Sequence, residues 1–236
     1  MCASCGQGKY KESQGDGPCT SCDAGSYSLD LGATSQSTCI PCEAGKYSRG
    51  ADQSCADCPA NSVSPAASDA LSDCTCAIGY TGANGATCDA CAEGTYKRYP
   101  GPAQCTECGA GKYSAATGQT AEGTCAACPA NSDAPAGSGA ISECICDAGF
   151  TGSFTAGDVS ASGICQACVA GKYKAEAGDA ACTDCGAGKY SAAVAATAES
   201  TCSACPANSD APAGSGAVSD CTCVAGFTAA SGICEQ

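Results

Sequence analysis

Large apolar side chains are thinly spread along this chain, and the aromatic ones fall at fixed places. Tyr10, Tyr27, Tyr47, Tyr96, Tyr113, Tyr173 and Tyr190 each complete a Gly-x-Tyr step shortly after a cysteine. Gly-Tyr80, Gly-Phe150 and Gly-Phe227 recur just after a Cys-x-Cys. Only Tyr99 and Phe154 stand outside this pattern. Each repeated ring is expected to cover the nearest disulfide as a miniature core, with the tyrosine hydroxyl at the surface. The glycine before it is expected to supply a tight turn with positive φ. Between the rings the residues are small and polar. A stretch such as PANSDAPAGSG (129–139) has almost no strand or helix propensity. The pattern therefore predicts very short strands, turns and irregular loops. The alanine-rich stretch 191–200 is the one place where a helical turn is expected, and alanine alone is a weak signal at that length.

Composition explains how so little apolar surface can still fold. Leu, Ile, Val and Phe together make 18 of the 236 residues. At that level a strongly charged chain does not order by burial alone. The 27 cysteines supply what is missing. Such a density is the signature of a disulfide scaffold. Closing a 15-residue loop stabilises by about 3 kcal/mol, chiefly by restricting the unfolded chain. The compartment is then oxidising, and the expected location is extracellular or at the cell surface.

The cysteines repeat in register. Cys-x-x-Cys pairs alternate with loops of four kinds: a short Gly-x-Tyr loop, a longer one, a Pro-Ala-Asn-Ser loop, and a Gly-Tyr/Phe loop after Cys-x-Cys. CPANSDAPAGSGAISEC (128–144) returns as CPANSDAPAGSGAVSDC (205–221), with only Ile141/Val218 and Glu143/Asp220 exchanged. A first copy, CPANSVSPAASDALSDC, spans 58–74. The reading is three cysteine-rich repeats, 1–88 with one extra short loop, 88–165 and 165–236. Only the fourth loop varies in length between them, which marks it as the surface excursion. Cys2 has no upstream partner and the last Cys-x-x-Cys is incomplete at Gln236. The expectation is an interior piece of a longer array, or a mature product, with cysteine as the next residue.

Spacing narrows the disulfides without fixing all of them. Loops that close on themselves would join Cys5–Cys19, Cys22–Cys39, Cys76–Cys88, Cys91–Cys105, Cys146–Cys165, Cys168–Cys182 and Cys223–Cys234. Around each Pro-Ala-Asn-Ser loop two pairings stay open. Cys108, Cys125, Cys128 and Cys144 either close locally (Cys108–Cys125, Cys128–Cys144) or cross (Cys108–Cys128, Cys125–Cys144). The same choice holds for Cys42, Cys55, Cys58 and Cys74, and for Cys185, Cys202, Cys205 and Cys221.

Charge and chemistry exclude several function classes. The net charge is −14 and there is no histidine. An acidic chain with scattered cations is a poor nucleic-acid binder and is repelled by anionic membranes. No apolar run is long enough to span a bilayer. Cys-x-x-Cys also signals zinc or redox chemistry. Zinc requires four-ligand sets in a reducing cell, however, and a redox pair requires a βαβ frame. The acids match no EF-hand loop. No catalytic residues, metal ligands or cofactors are assigned, and the chain does not read as an enzyme.

The order of cysteine, glycine, aromatic and Pro-Ala-Asn-Ser resembles the cysteine-rich region of ephrin-receptor ectodomains, in tandem. The Cys-x-Cys-x-x-Gly-Tyr/Phe ending is similar to the last half of an EGF module, whose final pair is sequential and whose first four cysteines cross. The Gly-x-Tyr loops resemble the self-closing first loop of tumour-necrosis-factor-receptor modules. The resemblance implies a small disulfide-rich fold, an elongated array of short β-hairpin, EGF-like loops with little regular secondary structure and no large hydrophobic core. The Ala/Ser/Gly-rich wording looks like surface arrays of algae and other protists, including the mastigoneme proteins of flagellar hairs. That likeness implies a structural subunit of an extracellular filament or coat, partnered by copies of itself. The alternative is a ligand-binding or adhesive stalk of a cell-surface receptor. No Asn-x-Ser/Thr sequon is present. Pro65, Pro135 and Pro212 resemble the contexts in which algal wall proteins carry O-linked glycans, and are the candidate modification sites.

Overall fold

The computed structural model describes residues 3–155, 164–230 and 233–235. Among them the regular structure is thirteen two-stranded antiparallel sheets and six 3-10 helices of three residues each. This is a disulfide-rich fold with little regular secondary structure. Each hairpin belongs to one disulfide loop. A strand of two residues, or of three in the last loop, follows the loop's opening cysteine, and its partner is supplied by the residues around the closing cysteine. Lys9–Tyr10 thus pairs with Thr20–Ser21, the two residues between Cys19 and Cys22. Lys112–Tyr113 pairs with Ala126–Ala127 in the same way. The Cys-x-x-Cys spacing is therefore a strand: one sulfur closes the loop behind and the other opens the loop ahead. Where the spacing contracts to Cys-x-Cys, the second cysteine joins the strand, as in the pairing of Ser62 with Cys76.

Two compact units divide the chain. One contains residues 1–107 with 116–124, the other 108–115 with 125–236. In the first unit, parallel single-residue bridges join Tyr10 to Ala33, Tyr27 to Asp52, Tyr47 to Ser68 and Tyr96 to Gln119. In the second they join Tyr113 to Ser138, Tyr173 to Ala196 and Tyr190 to Ser215. All seven Gly-x-Tyr tyrosines are thus clasped by the backbone of the following loop. The bond just after the bridge repeats as well: Lys97 N–H donates to Gln119 O at 2.9 Å, and Ser191 N–H to Ser215 O at 3.1 Å. A second strut runs the same way, from Gly8 N–H to Ser28 O and from Gly149 N–H to Lys174 O, both at 2.9 Å.

Sulfur and serine fill the interior. Cys42, Cys76, Cys91, Cys108, Cys146, Cys168 and Cys185 are essentially fully buried, as are Ser28, Ser48 and Ser138. Leu29, Leu31, Val169 and Val194 are exposed instead. One apolar cluster contains an aromatic: Phe154 packs with Ala134, Cys144, Cys146 and Cys165, and Tyr113, Ile141, Phe150 and Ile164 lie against it. Phe154 stands outside the repeat pattern, yet it is buried, whereas the repeated tyrosines are half-buried.

The helical turn expected over 191–200 does not form. Ala195 takes φ +53°, which no right-handed helix accommodates, and Ala196 is held in its bridge to Tyr173. What remains is the 3-10 turn Glu199–Thr201.

The glycine of Gly-x-Tyr has a second duty beyond its turn. At Gly171, with φ +83°, an added Cβ would overlap the carbonyl of Gly214, two loops further on. Gly45 has the same φ, but a Cβ there would meet open space. Gly45→Ala should cost about 1 kcal/mol of local stability, the left-handed strain alone. Gly171→Ala should cost about 2–4 kcal/mol, because overpacking adds to that strain. Native-state hydrogen exchange at Gly171 and Ser191, compared with Ser64 and Gly45, reads the difference. Equal losses at the two sites would refute the close-approach account.

Candidate functional site

The repeated loop is the unit from which any site must be built, and its geometry follows from four residues. The first is the disulfide. The structure joins Cys5–Cys19, Cys22–Cys39, Cys76–Cys88, Cys91–Cys105, Cys146–Cys165, Cys168–Cys182 and Cys223–Cys234. Around the Pro-Ala-Asn-Ser loops it holds the local alternative: Cys42–Cys55 and Cys58–Cys74, Cys108–Cys125 and Cys128–Cys144, Cys185–Cys202 and Cys205–Cys221. These thirteen bonds use every cysteine except Cys2, which lies outside the described residues. With their sulfurs so engaged, the Cys-x-x-Cys pairs offer neither thiolate ligands nor redox thiols.

The second is the residue in the left-handed turn. In Pro-Ala-Asn-Ser that residue is asparagine, at φ +61° for Asn61, +62° for Asn131 and +61° for Asn208. Asparagine tolerates this region better than other side chains. Here it also uses its amide, since Asn61 Nδ2 donates to Cys88 O at 3.3 Å and Asn208 Nδ2 to Cys234 O at 3.2 Å. The serine locks the same turn, with Ser132 Oγ donating to Pro129 O at 2.7 Å.

Ser68, Ser138 and Ser215 are buried and donate to Pro65, Pro135 and Pro212 carbonyls at 2.7–2.8 Å. The acid before the closing cysteine caps the 3-10 turn. Asp73 Oδ2 accepts from Asp69 and Ala70 N–H, Glu143 Oε1 from Gly139 N–H, and Asp220 Oδ2 from Gly216 and Ala217 N–H. Exchange of Glu143 for Asp220 keeps the acceptor, which is why that swap is mild.

The third and fourth are the tyrosine, whose backbone makes the clasp, and the residue after it. In the longer loops and the extra short loop this is a buried serine; in the three short loops of 14-residue separation it is lysine. Lys97 is buried, and its Nζ donates to Tyr80 O of the preceding loop at 2.7 Å and to Gly101 O of its own. Lys174 does the same toward Phe150 O and Gly178 O. Such a lysine is a side-chain strut between loops. Neither its burial nor the asparagine turn is visible from composition, although their fixed places in the repeat are.

The candidate modification prolines, Pro65, Pro135 and Pro212, have exposed rings. Pro65 lies on a polar groove of about 560 Å³ with Asp69, Ser72, Asp73 and Asn84. Among the described residues, no group of three or more His, Cys, Asp or Glu could hold a metal ion, and no helix is long and apolar enough to cross a membrane.

Residues 157–202 match the family described as tyrosine-protein kinase ephrin type A/B receptor-like. The matched loops are similar to ephrin-receptor-like cysteine-rich repeats. The matched segment reaches across the 168–182 and 185–202 loops, whose disulfides and tyrosine clasp recur throughout the chain. No curated protein matches the chain. Ephrin-receptor-like repeats are a non-catalytic extracellular module type, and a chain with thirteen disulfides suits an oxidising, extracellular or cell-surface environment.

Burial lowers the Lys97 pKa from its ordinary value. With the folded value below the unfolded one, the unfolded chain holds more protons in the window between them. Stability therefore rises with pH through that window: the desolvation penalty is complete below it and gone above it. An NMR titration of the Lys97 side chain should show a midpoint below 10.5. A midpoint at or above that value would contradict desolvation as the dominant influence on Lys97, with its two carbonyl acceptors winning instead.

Proposed function

We propose that this chain is a structural subunit of an extracellular filament, a mastigoneme-like flagellar hair, or a surface coat. In this reading it works as a disulfide-stapled rod that assembles with copies of itself. The observation that carries the reading is the clasp. Every Gly-x-Tyr loop is bonded to the following one by the same backbone bridge, and each is closed by its own disulfide. Successive loops so joined resist bending without a conventional core, which is what a load-bearing spacer requires.

The outward aliphatic side chains support self-association. Leu29 and Leu31, two of the three leucines in the chain, are 57% and 71% exposed in one loop. Two exposed leucines so close in sequence would gain by burial in a lateral contact. The division into repeats 1–88, 88–165 and 165–236 belongs to the same proposal, as does O-glycosylation at Pro65, Pro135 and Pro212. Their exposed rings leave room for a sugar, and their carbonyls stay engaged in the turn whether or not a sugar is attached.

Electron microscopy of the native material should show regular filaments or a sheet with an axial repeat. Mass spectra of the same material should show hydroxylated, glycosylated proline at the three positions. Isolated or membrane-tethered rods would overturn the assembly reading in favour of an adhesive or ligand-binding stalk. Bare proline at all three positions would remove the glycan.

A further inference from the structure

The short loop closed by Cys91–Cys105 departs from its two counterparts in charge while keeping their frame. All three have the same 14-residue separation between cysteines and the same two-residue hairpin. At matching positions, Arg98 stands where Glu12 and Ala175 stand, Tyr99 where Ser13 and Glu176 stand, and Pro102 where Asp16 and Asp179 stand. No acid lies between Glu93 and Glu107, in a chain of net charge −14.

The fold does not use this change. Lys97 is turned inward onto carbonyls, so Arg98 is the cation that faces out. Tyr99 is 71% exposed and is one of the two aromatics outside the repeat pattern; the other, Phe154, is buried. Among the described residues, no side-chain hydrogen bond or salt bridge holds Arg98 or Tyr99, and none holds Glu176 or Asp179. Arg98, Tyr99, Pro100 and Gln104 border a shallow cavity of about 240 Å³.

We propose that the Arg98–Tyr99 face docks on the Glu176–Asp179 turn of a second copy of this chain. The two surfaces share one backbone frame and carry opposite charge. One offers a guanidinium fork beside a flat ring; the other offers two carboxylates without partners. Arginine is suited to bind carboxylates through paired N–H donors, and tyrosine adds contact area at low entropic cost. Because the patches differ and lie on different repeats, the contact is heterologous. Such contacts continue into open assemblies unless a rotation closes them. The biological meaning of the contact rests on the filament or coat reading, whereas the contact itself is tested on the isolated chain.

Sedimentation of the whole oxidised chain tests it. Self-association should fall as salt rises, because the attraction is screened. Relief of net repulsion between acidic copies would have the opposite effect. Arg98→Glu should weaken association by about ten-fold or more. The double variant Glu176→Lys with Asp179→Lys should do the same, and an equimolar mixture of the two should restore it. The substituted side chains are exposed and bond to nothing, and an intact mass with thirteen disulfides verifies the fold of each variant. Association of Arg98→Glu equal to wild type would overturn the contact and leave the assembly reading standing. A wild-type chain that stays monomeric at high concentration would also overturn the contact; filaments in the native material would then still support assembly through another surface. Retention on heparin that depends on Arg98, with self-association unaffected, would overturn the proposal in favour of an anionic glycan.

Discussion

The structure depends on one constraint: every loop is closed by a disulfide to its own nearest available cysteine. Each bond spans a short separation, from 11 to 19 residues, so each removes conformational freedom from a small, local piece of chain. This allows a sequence with only 15 leucine, isoleucine and valine residues in 236 to order. The sulfurs also provide the buried mass. Where other folds place aliphatic side chains, this one places Cys76, Cys91, Cys146 and Cys185, and serines pack beside them.

Closure alone would give beads on a string. The tyrosine clasp and the glycine struts turn neighbouring loops into one bonded series within each unit. These are backbone interactions, so they need only the correct turn, and the turn residues carry the specification. Asn61 and its equivalents hold the left-handed position in one loop type, and glycine holds it in the others. The residue after each tyrosine completes the joint, as a buried serine in the longer loops and the extra short loop, and as lysine in the three other short loops. Lysine reaches the carbonyl of the preceding strand because its stem packs along the loop while its ammonium finds oxygen acceptors.

Much of this was legible in the sequence, and the exceptions have physical causes. Cysteine spacing announces the scaffold and the repeat, because a disulfide can join only residues that the loop brings together. Around Cys108, Cys125, Cys128 and Cys144, spacing permits both a local and a crossed pairing. Choosing between them requires the hairpin Lys112–Tyr113 with Ala126–Ala127, which brings Cys108 and Cys125 together. The repeated tyrosines suggest lids over disulfides. Their backbones prove as important as their rings, and a backbone bridge leaves no side-chain signature. The alanines at 191–200 suggest a helical turn, but Ala195 occupies a position where other copies carry Gly118 or Gly32, and the left-handed conformation goes with the place in the repeat. Phe154 looks like an irregular extra and is the buried aromatic among the described residues, because its ring packs with Ala134, Cys144, Cys146 and Cys165.

The central claim is sequential closure, loop by loop, and disulfide mapping of the native protein tests it most directly. Proteolysis at acid pH, where thiolate exchange is suppressed, followed by mass spectrometry should recover peptides linked Cys108–Cys125 and Cys128–Cys144, with the equivalent pairs around the other two Pro-Ala-Asn-Ser loops. Peptides linking Cys108 to Cys128 and Cys125 to Cys144 would contradict the account, since crossed bonds cannot form while each hairpin holds its own cysteines together.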